Sequence, residues 1–223
     1  MKALHFMIID YIRARAQMMI IFVILAAVTF LMRFVTNGTE LTIFLYGIFI
    51  VIVFSTVPFG NCTRADAGFL QLLPATTWQR VLGRFLYGLS LLAAGFVISV
   101  LCTAIYQAYS GVGINMMELP FYMVVVAAGL LIITVQYVLL YLIGENRGQN
   151  FLSLIRMIPG MSFFFGSIKL MGVIEKNPAK AAELLELVGS RMNVIGWGSL
   201  IAALAVMAAG VILCAKVTEK RDF

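Results

Sequence analysis

The strongest constraint on this chain is a repeated block of about 20 apolar residues, the length of helix that crosses a hydrocarbon core about 30 Å thick. Six such blocks lie near residues 17–35, 41–60, 85–108, 119–143, 151–174 and 194–216. Their apolar runs are continuous and do not alternate with period two, which excludes the strands of a membrane barrel. The sequence therefore predicts an all-α integral membrane protein with six transmembrane helices.

The composition leaves little material for a second domain. Hydrophobic residues make up 62% of the 223 residues and charged residues 12%, whereas soluble domains carry about 25% charged residues. This excludes a soluble enzyme, a disordered chain and a secreted disulfide scaffold. The three cysteines are scattered without metal-ligand spacing. We expect residues 1–223 to form a single transmembrane domain.

The distribution of Lys and Arg predicts the orientation. If the N-terminus is cytoplasmic, eleven of the 16 basic residues fall in inner segments and five in outer ones, so both termini are expected inside. We attribute the net charge of +6 to the basic residues that mark the cytoplasmic side, and we expect no nucleic-acid partner. The first block is expected to remain as a span, because its apolar run from Met18 to Met32 is longer than a cleaved signal usually has.

Two further helices are predicted outside the spans. In residues 2–16, Leu4, Ile8 and Ile12 share one face, which favours a helix lying in the cytoplasmic interface. The alternative is a plain inward extension of the first span. An outer helix is predicted at 177–189, because the segment has a capping Asn, a Pro at its first position and a terminal Gly. It is either a lid over an exit or a structural cap.

The stretch after the second span is too long and too apolar for a simple turn. It predicts a short transverse helix that Pro74 ends. Thr76 and Gln79 then form a capping box, and the new helix should continue into the third span. A transverse helix that carries Asp66 and Phe69 can act as a lever for another protein. The alternative is an interfacial anchor without a partner.

Small residues at spacing four, such as Gly95 and Ser99 in the third span, favour close helix packing within the chain. Pro159-Gly160 should bend or break the fifth span, which membranes tolerate where the freed carbonyls face protein or a cavity. Arg156 either faces such a cavity or reaches the interface. The candidates for a translocation cavity are Asn61, Gln136, Arg156 and Pro159.

The chemistry needed for catalysis is missing from the sequence. There is no Gly-x-x-x-x-Gly-Lys-Ser/Thr phosphate loop, no Gly-x-Ser-x-Gly elbow and only one histidine, His5. No span carries a carboxylate near its midpoint, as ion-coupled carriers usually do. We therefore expect no catalytic site, metal or cofactor in this chain, and an energy source in a partner protein.

This layout resembles that of the permease subunits of type-2 ABC exporters, which have six spans, inner termini, an interfacial N-terminal helix, a coupling helix after the second span and an outer helix before the sixth. The Gly144–Arg147 stretch and the end of the chain are similar to the family's second inner loop and tail. The closest local match is the run Leu72-Leu73-Pro74-Ala75-Thr76-Thr77-Trp78-Gln79-Arg80-Val81-Leu82-Gly83-Arg84-Phe85.

The resemblance implies a dimer of this chain with a second copy or a paralogue, driven by two separate ATPase subunits that bind ATP and magnesium. A lesser ATPase contact would lie at Glu145 and Arg147. The implied docking residues of the coupling helix are Arg64, Asp66, Gly68, Phe69, Gln71 and Leu72, and Asp66 would correspond to the family's coupling-helix acid.

The short build looks most like that of bacterial exporters of amphipathic peptides, such as phenol-soluble modulins and bacteriocins. The resemblance therefore implies the bacterial cytoplasmic membrane, lipid contact and an amphipathic substrate. Exporters of drugs, lipids or glycans share the same frame. Two other classes stay open, namely the substrate-binding membrane component of a vitamin importer and an immunity or scaffold membrane protein.

Overall fold

The computed structural model describes residues 2–36, 40–60, 75–110, 119–144 and 191–220, together with part of 151–176. In these residues the structure is helical and contains no strand, which confirms the predicted all-α class. The described residues between 151 and 176 are also helical. The bounded helices are α1 (Lys2–Thr36), α2 (Glu40–Phe54), α3 (Val57–Gly60), α4 (Thr77–Ser110), α5 (Leu119–Ile143) and α6 (Met192–Glu219).

Three helices in the described part of the chain are long and apolar enough to cross a membrane. They are Thr77–Cys102 within α4, Leu119–Ile143 and Met192–Glu219, and they correspond to the predicted third, fourth and sixth spans. The fourth span has the predicted bounds. It ends at Gly144, whose φ of 89° suits a glycine after a helix terminus because no Cβ opposes this conformation. These helices make the chain a multi-pass membrane protein.

The first predicted span and the segment before it form one uninterrupted helix. At 35 residues, α1 is about 52 Å long, which exceeds the hydrocarbon core. Residues 2–16 are therefore continuous with the first predicted span, and their place in the cytoplasmic interface stays a prediction. The face that packs inward carries Phe6, Asp10 and Ala14, which are buried. The predicted apolar face is exposed, as Leu4, Ile8 and Ile12 show, which is the arrangement of a face that contacts lipid.

This N-terminal part of α1 is seated on α4. A Cβ added at Gly83 would lie 2.6 Å from the Cβ of Phe6, so the missing side chain lets the two helices touch. One turn further, the Tyr11 and Ser90 hydroxyls share a hydrogen bond of 2.8 Å. The neighbouring helix therefore decides which face of α1 is buried.

The second predicted span is not continuous, because the helix is interrupted at Ser55–Thr56 between α2 and α3. Pro58 has no amide hydrogen to donate to the carbonyl of Phe54. The amide of Phe59 donates to the carbonyl of Thr56 at 3.1 Å and not to that of Ser55. The carbonyl of Ser55 is consequently available to a donor from elsewhere in the fold.

The predicted capping box is confirmed. The amide of Gln79 donates to Thr76 Oγ1 at 3.3 Å, and the amide of Thr76 donates to Gln79 Oε1 at 3.4 Å. These reciprocal bonds satisfy two amides at the start of α4. The helix that begins there continues without interruption through the third span to Ser110, as the sequence predicts.

The small residues pack helices of the same chain together. Gly47 of α2 lies against Ser99 of α4, and Gly95 of α4 lies against Val51. A side chain at either glycine would collide with its neighbour, so glycine permits the close approach of the two helices. The predicted role of the Gly95 and Ser99 stripe in close packing is confirmed.

Contacts along α5 and α6 show that the two helices run parallel. Pro120 of α5 lies against Gly196 of α6, and further along both helices Thr134 lies against Gly210. If both helices cross the membrane, the chain has to return from one side to the other between Gly144 and Met192. The helical residues between 151 and 176 occupy this connection.

The sequence predicts a bend or a break at Pro159-Gly160. Residues 157–162 are all helical, so the helix is not broken there, and the bend stays a prediction. A Cβ added at Gly160 would lie 3.2 Å from the Phe49 ring and 3.3 Å from Val53. The segment therefore packs closely on α2 at this point. This packing supports the helix where proline removes one backbone hydrogen bond.

Two glycines of α6 provide a matched test of this packing. A Cβ at Gly196 would lie 2.9 Å from the backbone oxygen of Pro120, whereas nothing lies within 4 Å of the same position at Gly198. Gly196→Ala should destabilise the protein by about 1–3 kcal/mol through overpacking, because backbone cannot move aside as a side chain can. Gly198→Ala should not destabilise the protein and should stabilise it by up to about 1 kcal/mol, because alanine favours the helix more than glycine does. Unfolding titrations in detergent measure both, and equal losses would contradict the packing.

Candidate functional site

The predicted site residues fall largely outside the described part of the chain. This holds for the cavity candidates Asn61 and Arg156, for the contact residues Glu145 and Arg147, and for the outer helix at 177–189. It also holds for the whole docking set, Arg64, Asp66, Gly68, Phe69, Gln71 and Leu72. Gln136 and Pro159 are described, and the structure brings them together.

Gln136 is fully buried, and its amide supplies the hydrogen bond that Pro159 removes. In a regular helix the amide of residue 159 would donate to the carbonyl of Ile155, but proline has no amide hydrogen. Gln136 Nε2 donates to this carbonyl at 3.1 Å. The structure therefore places Gln136 as a bridge between α5 and the fifth helical segment, and not on an open surface.

The next residue, Tyr137, performs the same task for a different helix. Its hydroxyl donates to the carbonyl of Ser55 at 2.7 Å, at the interruption between α2 and α3. Tyr137 and Ser55 are both fully buried. We call Gln136, Tyr137 and the two carbonyls that they bind, those of Ile155 and Ser55, the carbonyl clamp.

The Ser55 side chain completes the polar contacts of the carbonyl clamp. Its hydroxyl donates to the carbonyl of Ile52 at 2.9 Å and lies 3.4 Å from Gln136 Oε1. A serine hydroxyl has one proton, so the shorter bond to Ile52 takes most of it. The Gln136 side chain is thus held close to both the α2–α3 interruption and the fifth segment.

Aromatic rings enclose the carbonyl clamp. The rings of Phe59 and Phe85 each lie 5.1 Å from the Tyr137 ring in edge-to-face geometry. A Cβ added at Gly88 would lie 2.8 Å from the Tyr137 hydroxyl oxygen, so glycine leaves room for the phenol between α4 and α5. These contacts fix the direction of the hydroxyl.

Charged groups lie beside this aromatic shell. The Arg84 guanidinium sits 4.6 Å from the centre of the Phe59 ring, a cation–π contact, and Arg84 is buried. Asp10 of α1 is also buried and interacts electrostatically with Tyr87 and Tyr137. Helices α1, α3, α4 and α5 therefore meet here through polar and charged side chains.

The sequence analysis missed Tyr137, Ser55 and Asp10 as members of this site. Pro58 marks a helix interruption next to Ser55 in the sequence, but nothing in the sequence identifies Tyr137 as the donor to the Ser55 carbonyl. Asp10 lies on the polar face of α1, opposite Leu4 and Ile8, and only the packing of a neighbouring helix buries it.

The site contains donors, acceptors and rings arranged for holding helices together. In the part of the chain that the structure describes, no three His, Cys, Asp or Glu residues lie close enough to hold a metal ion. The arrangement can link helices and can exchange its hydrogen bonds when those helices move.

Comparison with known proteins identifies one family. The sequence model described as "ABC-2 family transporter protein" matches residues 5–219, which is nearly the whole chain. No curated protein and no solved structure matches the chain significantly.

A double-mutant cycle tests whether Gln136 acts through Pro159. Gln136→Leu should cost about 1–3 kcal/mol, because the Ile155 carbonyl loses its donor in an apolar surrounding. Pro159→Ala restores the amide of residue 159, so the same change should then be nearly neutral. Unfolding free energies of the four proteins in detergent give the coupling, expected at about 1 kcal/mol or more.

The control for this cycle is Thr134→Val, which removes a buried hydroxyl that donates to Leu130 within α5 at 2.8 Å. Its cost should not depend on residue 159. Equal costs of Gln136→Leu in the two backgrounds would contradict the assignment.

Proposed function

Because the chain belongs to the ABC-2 family of transporter proteins, it is a membrane component of an ABC transporter, and we propose that it is the permease subunit of an ATP-driven exporter. The family match over residues 5–219 carries this proposal. Membership implies an ABC ATPase as partner. It also favours a permease over the vitamin-binding component and the immunity or scaffold protein.

We propose six membrane crossings with both termini in the cytoplasm. The three long apolar helices account for the third, fourth and sixth crossings. The parallel course of α5 and α6 supports a fifth crossing between them, and α1 is long enough for the first. The second crossing consists of α2 and α3, whose apolar residues continue across the interruption at Ser55–Thr56.

The proposed ATPase-docking element is the segment from Arg64 to Leu73, with Asp66 and Phe69 in the ATPase groove. Two packed elements bracket this segment. Before it, α3 ends at Gly60 with Phe59 buried among aromatic rings. After it, the Thr76 capping box begins α4. A push on the segment would therefore reach the helix bundle through α3 and α4.

The second inner loop, with Glu145 and Arg147, provides a lesser ATPase contact. This loop follows Gly144, at the end of α5 near which Phe59 packs on the Tyr141 ring at 5.5 Å. The end of α5 and α3 thus meet, which supports two ATPase contacts on one side of the membrane.

The proposed assembly contains two permeases, as a homodimer or with a paralogue, and two ATPases that hold ATP and magnesium. Amphipathic peptides would enter from the cytoplasm or the inner leaflet and leave beneath the 177–189 helix. Drugs, lipids or glycans are the second candidate class of substrate. A gene for an ABC ATPase beside this one, and a single or paired permease gene, would distinguish these assemblies.

Replacing Asp66 and Phe69 with alanine should abolish the stimulation of ATPase activity by an amphipathic peptide in the reconstituted complex. The reason is that the change removes the side chains that would transmit movement between the subunits, while the ATPase itself is untouched. Ile201→Ala, at an exposed position of α6, is the control and should leave the stimulation intact. Unchanged stimulation in the Asp66 and Phe69 variant would contradict the docking assignment.

A further inference from the structure

Two adjacent residues of α5 hold two different helices. Successive residues of a helix point about 100° apart, so Gln136 reaches the fifth segment at Ile155 while Tyr137 reaches the α2–α3 interruption at Ser55. One bond ends on the Ile155 carbonyl, whose usual helical donor Pro159 lacks, and the other on the Ser55 carbonyl, which the amide of Phe59 does not bind. The carbonyl clamp therefore joins α5 both to the fifth segment and to the α2–α3 interruption through hydrogen bonds between different elements.

Breaking these two hydrogen bonds is unfavourable because the site is buried. Ser55, Gln136 and Tyr137 have no exposed surface, and Ile155 is also buried. A carbonyl in such a place cannot turn to water, and leaving it without a donor inside a membrane is strongly unfavourable. While the site stays dry, the α2–α3 interruption and the Ile155 region must therefore keep their positions relative to α5.

The carbonyl clamp is in direct contact with α3, so a movement of α3 would displace it. Phe59 of α3 packs on the Tyr137 ring at 5.1 Å and on the Tyr141 ring at 5.5 Å. The Arg84 guanidinium covers the same Phe59 ring. A displacement of α3 therefore acts on Tyr137 directly, and Gln136 is the next residue along the same backbone.

We propose that Gln136 and Tyr137 are positioning residues that transmit movement of α3 to the fifth helical segment through the Ser55 and Ile155 carbonyls. This inference rests on the proposed function, since the movement of α3 would come from the docked ATPase. The carbonyl clamp uses the α2–α3 interruption and the helix defect at Pro159 as attachment points. The fifth segment then follows α3 although the two are distant in sequence.

The alternative is that apolar packing alone carries the movement. Conservative variants separate the two explanations. Tyr137→Phe keeps the ring between Phe59 and Phe85 but removes the hydroxyl, and Gln136→Leu keeps a side chain of similar size but removes the amide. Ser90→Ala is the control, because it removes the interhelical hydrogen bond of 2.8 Å to Tyr11, which is not part of the carbonyl clamp.

The test uses the complete complex of permease and ATPase in lipid nanodiscs. Hydrogen–deuterium exchange is measured on peptides that cover 57–60 and 151–158, without nucleotide and after trapping with ATP and vanadate. In the unmodified complex, trapping should change exchange in both segments. In Tyr137→Phe and in Gln136→Leu, the change should remain at 57–60 and be lost at 151–158. Ser90→Ala should retain both changes, although it also loses an interhelical bond.

The outcomes separate this inference from the proposed function. A trapping response that reaches 151–158 undiminished in both variants would overturn the role of the carbonyl clamp and leave the docking intact. No response at 57–60 in the unmodified complex would overturn the docking and this inference with it. Loss at 151–158 in Ser90→Ala as well would show a general loosening of the bundle and would also overturn the role. If Gln136→Leu does not assemble, Tyr137→Phe decides between these results, because it retains the ring packing.

Discussion

A backbone carbonyl inside a membrane protein must accept a hydrogen bond from another group of the protein, because lipid chains and apolar side chains have no donor to offer. This balance is disturbed at two places. Pro159 removes the amide that would bind the Ile155 carbonyl, and at the α2–α3 interruption the amide of Phe59 binds the carbonyl of Thr56 and leaves that of Ser55. Gln136 and Tyr137 restore it from a third helix. The packing of Phe59 and Phe85, the space left at Gly88 and the placement of Arg84 all follow from the position of the Tyr137 phenol.

Because of this arrangement, different helices of the bundle are held together by different kinds of contact, which suits a transporter. Where α2 meets α4, glycines let the backbones approach and apolar side chains interlock, so these helices are joined over a wide area. The α2–α3 interruption and the fifth segment also have apolar contacts, but they are joined to α5 in addition by a few hydrogen bonds. Bonds of this kind can be exchanged for water when a pathway opens, whereas interlocked apolar packing cannot. In a member of the ABC-2 family of transporter proteins, this difference separates helices that stay packed together from helices that can move.

Several features could be predicted because their causes are local. The Thr76–Gln79 capping box depends on residues three apart, and the ends of α5 follow from its apolar run and from Gly144. Prediction from local pattern ends where a neighbouring helix decides the result. The burial of Asp10 on the polar face of α1 depends on the helix packed against that face. The unbroken helix at Pro159 likewise depends on Phe49 and Val53, which pack against Gly160.

The sequence by itself determined that this is a helical membrane protein, since the thickness of the hydrocarbon core sets the length of an apolar helix whatever its neighbours are. It also determined where α4 begins and where α5 ends, because the Thr76–Gln79 capping box and Gly144 act within a few residues. Only the tertiary structure decided which residues satisfy the carbonyls of Ser55 and Ile155. Their donors come from positions 82 and 19 residues away, and only the packing of the helices brings such groups within hydrogen-bonding distance.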